Sequence, residues 1–189
     1  MEECHLIKWD LYLPDNPNDD VACLSNMAGI GPFCVSNYIP ITFLATKEMI
    51  ENRISVCDFI AFIGFPEVYD HKNNVAILRT GTISSDPRLN YSYSKEVDLG
   101  HVIAYEAFSK NGSSGSPVFA LQKGFSVDGN IIQVSAGFYR EVCLVGINAG
   151  SFTLPVKLDG GVKYDEHQQL SYMYKSDVIW DLINKASAK

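Results

Sequence analysis

The chain has 189 residues, 47% of them hydrophobic and 20% charged, with a net charge of −7. That length favours one domain or two small ones, and that apolar share is enough to bury a core. The acidic balance excludes a nucleic-acid footprint, which needs a basic face, and no run reaches the roughly eighteen apolar residues of a membrane span.

The opening "MEECHLIKWD" lacks the basic-then-apolar layout of a secretory signal. Cys4, Cys23, Cys34, Cys57 and Cys143 form no C-x-x-C pair. They are expected to be reduced, mostly buried thiols of a cytoplasmic protein, and no metal or other cofactor is implied.

In chain order, "WDLYL" alternates and puts Trp9, Leu11 and Leu13 on one face of a strand. "PDNPND" (14–19) reads as a surface loop, and "TKEMIENR" (46–53) as a short helical connector. A dense set of strands follows: "DFIAFIGF", "VAILRTGTISS", "HVIAYEAF", "SPVFALQ", "IIQVSAGF" and "EVCLVGINAG". Short β-branched and aromatic runs at such spacing predict a sandwich or barrel, not βαβ units. Residues 158–168, "LDGGVKYDEHQ", read as another surface loop. "SDVIWDLINKASAK" (176–189) predicts a helix with Ser176 as N-cap. Its Val178, Ile179, Leu182 and Ile183 make an apolar stripe that docks on the barrel.

The segment "FSKNGSSGSPVF" (108–119) has a linker's composition, yet it joins two strand-like runs. A tether between neighbouring core strands serves no purpose, so a structured loop is expected. Its Gly-x-Ser-Gly-x-Pro spacing suits acyl transfer. That chemistry needs a serine hydroxyl where backbone N–H groups converge on a developing oxyanion. Glycine two residues earlier lets the backbone turn its N–H inward. Ser114 is the candidate nucleophile, with the N–H groups of Gly112 and Ser114 as oxyanion donors. The rival G-x-S-x-G elbow would need glycine where Ser116 stands, and a strand-to-helix context.

"GSSGSPVF" resembles the nucleophile loop of bacterial trypsin-like serine peptidases with the chymotrypsin fold. "DFIAFIGFPEVYD" is similar to the strand and turn that open their second barrel, "VAILRTGTISS" to the next hairpin, and "CLVGINAG" to the strand flanking substrate. The resemblance covers about residues 5–185. It implies an all-β, chymotrypsin-like double β-barrel with a C-terminal α-helix. Residues 1–55 would be a partial N-terminal barrel, and residues 56–189 the C-terminal barrel with the nucleophile loop.

"NDDVACL" is similar to the segment carrying the triad aspartate, which places Asp20 in that role. A turn residue is the alternative for Asp20, and Asp19 is its neighbouring competitor. The family register puts Phe108 at the floor of the substrate pocket, with core packing equally open to it. Asn148, Ala149 and Gly150 would line the wall and pair with substrate as an added strand. Ser113 stands where secreted digestive members carry an aspartate that pairs with a newly cut N-terminus. Activation by that route is not expected here.

A triad also needs an imidazole to take the serine's proton. In this family the histidine precedes the aspartate. Of the four histidines, His71, His101 and His167 follow Asp20, and His5 precedes it by only fifteen residues. His5 is therefore a weak candidate base, an edge-strand histidine being the preferred reading. The first barrel is expected to be incomplete, its open edges covered by a second copy of the chain or by an N-terminal segment. A serine endopeptidase acting on peptide or protein substrates is expected, inactive in this form if no base is supplied. The alternative is a pseudoprotease, a β-barrel that binds peptides without cutting them.

Overall fold

A computed structural model describes residues 10–25, 38–109, 111–124, 126–128, 131–133, 139–157 and 163–188. Its strands are β1 (Asp10–Tyr12), β2 (Cys23–Ser25), β3 (Phe59–Gly64), β4 (Ile77–Ile83) and β5 (Val102–Glu106). They continue as β6 (Pro117–Ala120), β7 (Ser126–Asp128), β8 (Ile131–Gln133), β9 (Cys143–Lys157) and β10 (Lys163–Lys175). Two helices, α1 (Lys47–Asn52) and α2 (Ser176–Ser187), complete the order.

Six strands close a barrel in the order β10-β5-β4-β3-β6-β9, with every neighbouring pair antiparallel. Closure leaves the ring without a free edge. Inside it lie Ile60, Phe62, Ile83, Ile103, Tyr105, Val118, Val145 and Met173, all buried. The aromatic and β-branched residues that favour strands are the same ones that fill this interior. Of the sandwich or barrel expected from the spacing of short strands, the barrel is present, closed by six strands, and so is the C-terminal helix. β1 and β2 stand apart as a two-stranded ribbon that touches α2.

Thr46 caps α1, its hydroxyl accepting the Met49 N–H at 3.2 Å. The helix buries Ile50. α2 buries Val178 and Leu182, while Ile179 and Ile183 are half-buried, so the expected stripe is the docking face. The Trp180 indole N–H donates to the Ala45 carbonyl at 3.0 Å. Buried Asp58 ties three loops together. It meets the Lys123 ammonium at 2.6 Å and the Arg140 guanidinium at 3.4 Å, and accepts the Ser55 N–H at 3.0 Å.

Local expectations needed correction. Leu11 and Leu13 are 60% and 58% exposed, Leu11 on the two-stranded ribbon and Leu13 just past its first strand, so neither packs into a core; Trp9 lies outside the described residues. The N-cap of α2 is Lys175, without a side-chain cap bond, and Ser176 is buried in the first turn. β10 runs straight into the helix, which leaves no loop residue to act as cap. Residues 163–168 are strand, not loop: they pair with β9 from Lys163↔Lys157 to His167↔Thr153. A polar run forms a strand when a long partner satisfies its backbone, and that partner is not visible in the run's own periodicity.

Cys23, Cys57 and Cys143 are free thiols; Cys4 and Cys34 lie outside the described residues. Among the described residues no helix is long and apolar enough to cross a membrane.

Candidate functional site

The loop between β5 and β6 is shaped by two glycines. Gly112 has φ +86° and Gly115 φ +82°, both in the left-handed region that other residues avoid. A Cβ at Gly112 would also run into the Phe65 carbonyl. Between the two glycines, Ser114 is exposed and Ser113 is fully buried. The segment with a linker's composition is a fixed turn.

Asn148 on β9 clamps this turn from below. It is 1% exposed. Its amide nitrogen donates to the Ser113 carbonyl at 2.6 Å and to the Ser109 hydroxyl at 3.0 Å. Its carbonyl oxygen accepts the Tyr105 hydroxyl at 2.6 Å. Burial pushes the Tyr105 phenol well above its ordinary range, which keeps the proton that this bond needs. Two backbone bonds of 2.8 Å add to the clamp, Gly115 N–H to Asn148 C=O and Asn148 N–H to Ser116 C=O.

The Ser114 hydroxyl lies at one side of a cleft of about 360 Å³, donating to the Ala149 carbonyl at 3.2 Å. Asp20, Val21 and Ala22 of the early segment line the same cleft, and so do Tyr172 and Tyr174 of β10. Ser114 and Asp20, ninety-four positions apart in the sequence, are thus brought to one cavity. Among the described residues no acceptor is bonded to the N–H of Gly112 or of Ser114.

Asp19 and Asp20 divide their work. Asp19 is buried, and its carboxylate accepts the His101 N–H at 2.7 Å and meets His101 Nδ1 at 2.7 Å. A Cβ at Gly100 would strike that carboxylate, so the glycine makes room for it. The neighbouring Asn18 donates to Asp98 at 3.0 Å and accepts the Tyr174 hydroxyl at 3.1 Å. These contacts hold the turn that presents exposed Asp20 to the cleft. His101 was set aside because it follows Asp20 in the chain, and that order says nothing of this pairing, which joins residues 82 apart.

Other candidate residues fall differently. Of the Asn148–Gly150 stretch, Asn148 has its amide and both backbone groups engaged in the clamp, so it structures the site. Ala149 is the extra residue of a bulge between Tyr172↔Gly150 and Met173↔Asn148. β6 pairs with β9 only as far as Ile147, so beyond it this side of β9 has no strand neighbour among the described residues. Gly150 lies on that open stretch. Phe108 is neither core nor cleft floor: it is 61% exposed beside Phe59 and Gln169, in a separate depression. The Arg79 guanidinium holds its carbonyl. Ser113 is too confined for a larger side chain, with Gly64 packed against it, and its hydroxyl finds no partner among the described residues.

No described histidine is bonded to Ser114. His71 Nε2 meets the Glu67 carbonyl at 2.9 Å, and His101 is held by Asp19. His5 lies outside the described residues, and the His167 side chain is likewise not described. Among the described residues no group of three or more His, Cys, Asp or Glu side chains could hold a metal. No family model and no curated protein matches the chain.

Proposed function

We propose that the cleft is the peptide-cleaving half of a trypsin-like serine peptidase, with the early segment as part of a first barrel. The observation that carries the reading is the meeting of Ser114 and Asp20 in one cavity, on a turn whose Gly112 and Ser114 N–H groups have no bonded acceptor among the described residues. Ser114 Oγ attacks the scissile carbonyl carbon, and the carbonyl oxygen takes up the negative charge. The N–H groups of Gly112 and Ser114 receive that oxyanion, a donor pair of which each member is worth roughly 10²- to 10³-fold in rate. Asp20 orients an imidazole, which takes the Ser114 proton and returns it to the leaving amine. That imidazole comes from outside the described residues, with His5 as the one candidate of suitable order in this chain. Substrate backbone pairs with β9 at Ala149 and Gly150, as an added strand.

A second reading has its own observation: the Ser114 hydroxyl rests on the Ala149 carbonyl, and no described imidazole is bonded to it. A serine without a base keeps an alcohol's reactivity, and the remaining groups retain only roughly 10³- to 10⁴-fold over water. On that reading the barrel binds peptides and does not cut them.

Fluorophosphonate labelling separates the two. The chain alone should label slowly, and added imidazole should accelerate labelling at Ser114, with Ser114→Ala abolishing it. Labelling that is slow and indifferent to imidazole would favour the binding barrel. Brisk labelling that disappears in His5→Ala would assign the base to His5.

A further inference from the structure

The outside of the barrel carries an apolar patch that the reaction at Ser114 does not use. Side chains alternate along β3, so Ile60 and Phe62 fill the interior while Phe59, Ala61 and Ile63 point outward. Opposite them on β4 stand Thr82, Thr80 and Leu78. None of these six outward residues is charged. Phe108, just past β5, joins them through the depression that it shares with Phe59. Phe59, Ile63, Leu78 and Phe108 are 46–67% exposed, which leaves roughly 100 Å² of each open and about 400 Å² together. A monomer's largest apolar patch is of about this size, and it is often a contact surface.

We propose that this face docks a second copy of the chain about a two-fold axis. The layout of the hairpin is self-complementary. Ala61 and Thr80 face each other at its middle, and Ala61 lies low, 7% exposed among larger neighbours. Two positions to one side, Ile63 and Leu78 form a ridge. Two positions to the other side, Phe59 and Thr82 border a depression of about 380 Å³, which Thr80 and Gly81 also line. A two-fold axis crossing the strands at Ala61 and Thr80, in the plane of contact, lays each ridge on the other copy's depression. Leu78 of each copy then enters beside the other's Thr82, and Ile63 meets Phe59. Each contact occurs twice, as an isologous interface requires.

Charge and area favour the same occupant. Two chains of net −7 repel one another, so self-association needs a face whose centre is free of acids. Glu106 and Gln169 edge the depression from β5 and β10, where they give the contact a polar rim. From both copies the four exposed side chains supply about 800 Å², before the threonines and the rim are counted. That approaches the roughly 1,200 Å² at which stable interfaces begin, so a weak, micromolar pairing is expected. No residue lining the Ser114 cleft belongs to β3 or β4. The pairing therefore stands whether or not Ser114 is a nucleophile, and it leaves both clefts open.

Sedimentation equilibrium of the whole chain tests this. A reversible monomer–dimer equilibrium is expected at micromolar concentrations. Leu78→Asp places a carboxylate in each depression and should weaken the dimer at least roughly thirty-fold. Phe59→Asp should do the same from the other end of the hairpin. Both side chains are exposed in a single copy, so the melting temperature of the diluted protein should stay as it was. Leu13→Asp, at an equally exposed leucine off this face, should leave the dimer intact. A chain that stays monomeric at every concentration would overturn the proposal. So would a dimer that both face variants leave intact, or one that Leu13→Asp dissolves equally, since its contact then lies elsewhere.

Discussion

The two walls of the cleft are built by different means. On the barrel side, the nucleophile turn is held by Asn148, whose amide makes three bonds in a site sealed from water. On the other side, Asp20 is presented by a stretch that reaches the barrel through contacts shared with solvent. These include Asp19 to His101, Asn18 to Asp98 and, by way of α2, Lys185 to Asp15, with side chains up to 95% exposed. A buried hydrogen bond costs about 1–3 kcal/mol per orphaned group when one partner is removed, because water cannot replace it. An exposed ion pair contributes about 0–1 kcal/mol. One wall is therefore part of the folding core, and the other is a panel fastened onto it.

The comparison is broken most directly at Asn148. Asn148→Ala leaves the Tyr105 hydroxyl, the Ser109 hydroxyl and the Ser113 carbonyl without their partner. Expected is a loss of about 3 kcal/mol or more. For a chain of this length that lowers the melting temperature by roughly 6–12 °C. Differential scanning calorimetry reads this. An unchanged melt would mean that the backbone bonds of Gly115 and Ser116 hold the turn unaided.

A smaller effect comes with pH. Burial raises the Tyr105 phenol above its ordinary 10.0, so the folded chain keeps a proton that the unfolded chain gives up. More protons on the folded side mean that stability falls as pH climbs past 10. Cys143, raised by burial above 9.0, acts in the same direction. Lys175 opposes them: burial lowers it below 10.5, so the unfolded chain holds its proton longer and stability gains until about that pH. Past 10.5 the Lys175 contribution is flat and the fall continues alone. Urea midpoints should therefore drop between pH 10.5 and about 11.5. Tyr105→Phe should start lower at neutral pH, with the Asn148 oxygen orphaned, yet fall less over that interval. Equal slopes would mean that Tyr105 titrates normally and that the clamp is open to water.

The barrel was legible because its strands carry their own signal. Runs such as "DFIAFIGF" and "HVIAYEAF" are apolar enough to be strands wherever they pair. The turn at Ser114 was legible for the same kind of reason, since Gly112 and Gly115 occur where positive φ is required. What escaped the sequence depends on distant partners. Asn148 looked like a substrate wall because nothing local says that Tyr105, Ser109 and Ser113 converge on it. Phe108 was assigned by register, but the chain turns it outward at the end of β5. The aromatic cluster around Phe152 was not legible either, since Tyr91, Tyr93, Phe152 and Tyr172 come from three separate stretches.

The smallest effect on stability should come from the fastened wall, and there the cleft itself changes most. In Asp19→Ala, the His101 N–H and ring lose their acceptor, but His101 is 45% exposed and water can take over. The expected cost is about 1 kcal/mol, or roughly 2–4 °C in melting temperature. The stretch 10–25 then loses its buried carboxylate anchor, so it should be cut by added proteases well before the barrel is. Asp20 leaves the cleft with it, while Ser114 and the turn remain in place. Limited proteolysis followed by mass spectrometry distinguishes the two regions by where the first cuts fall. First cuts within 10–25, beside a barrel that melts almost as before, would sharpen the contrast between the walls. A melting shift as large as that of Asn148→Ala would erase it, because the early stretch would then belong to the same folding unit as the barrel.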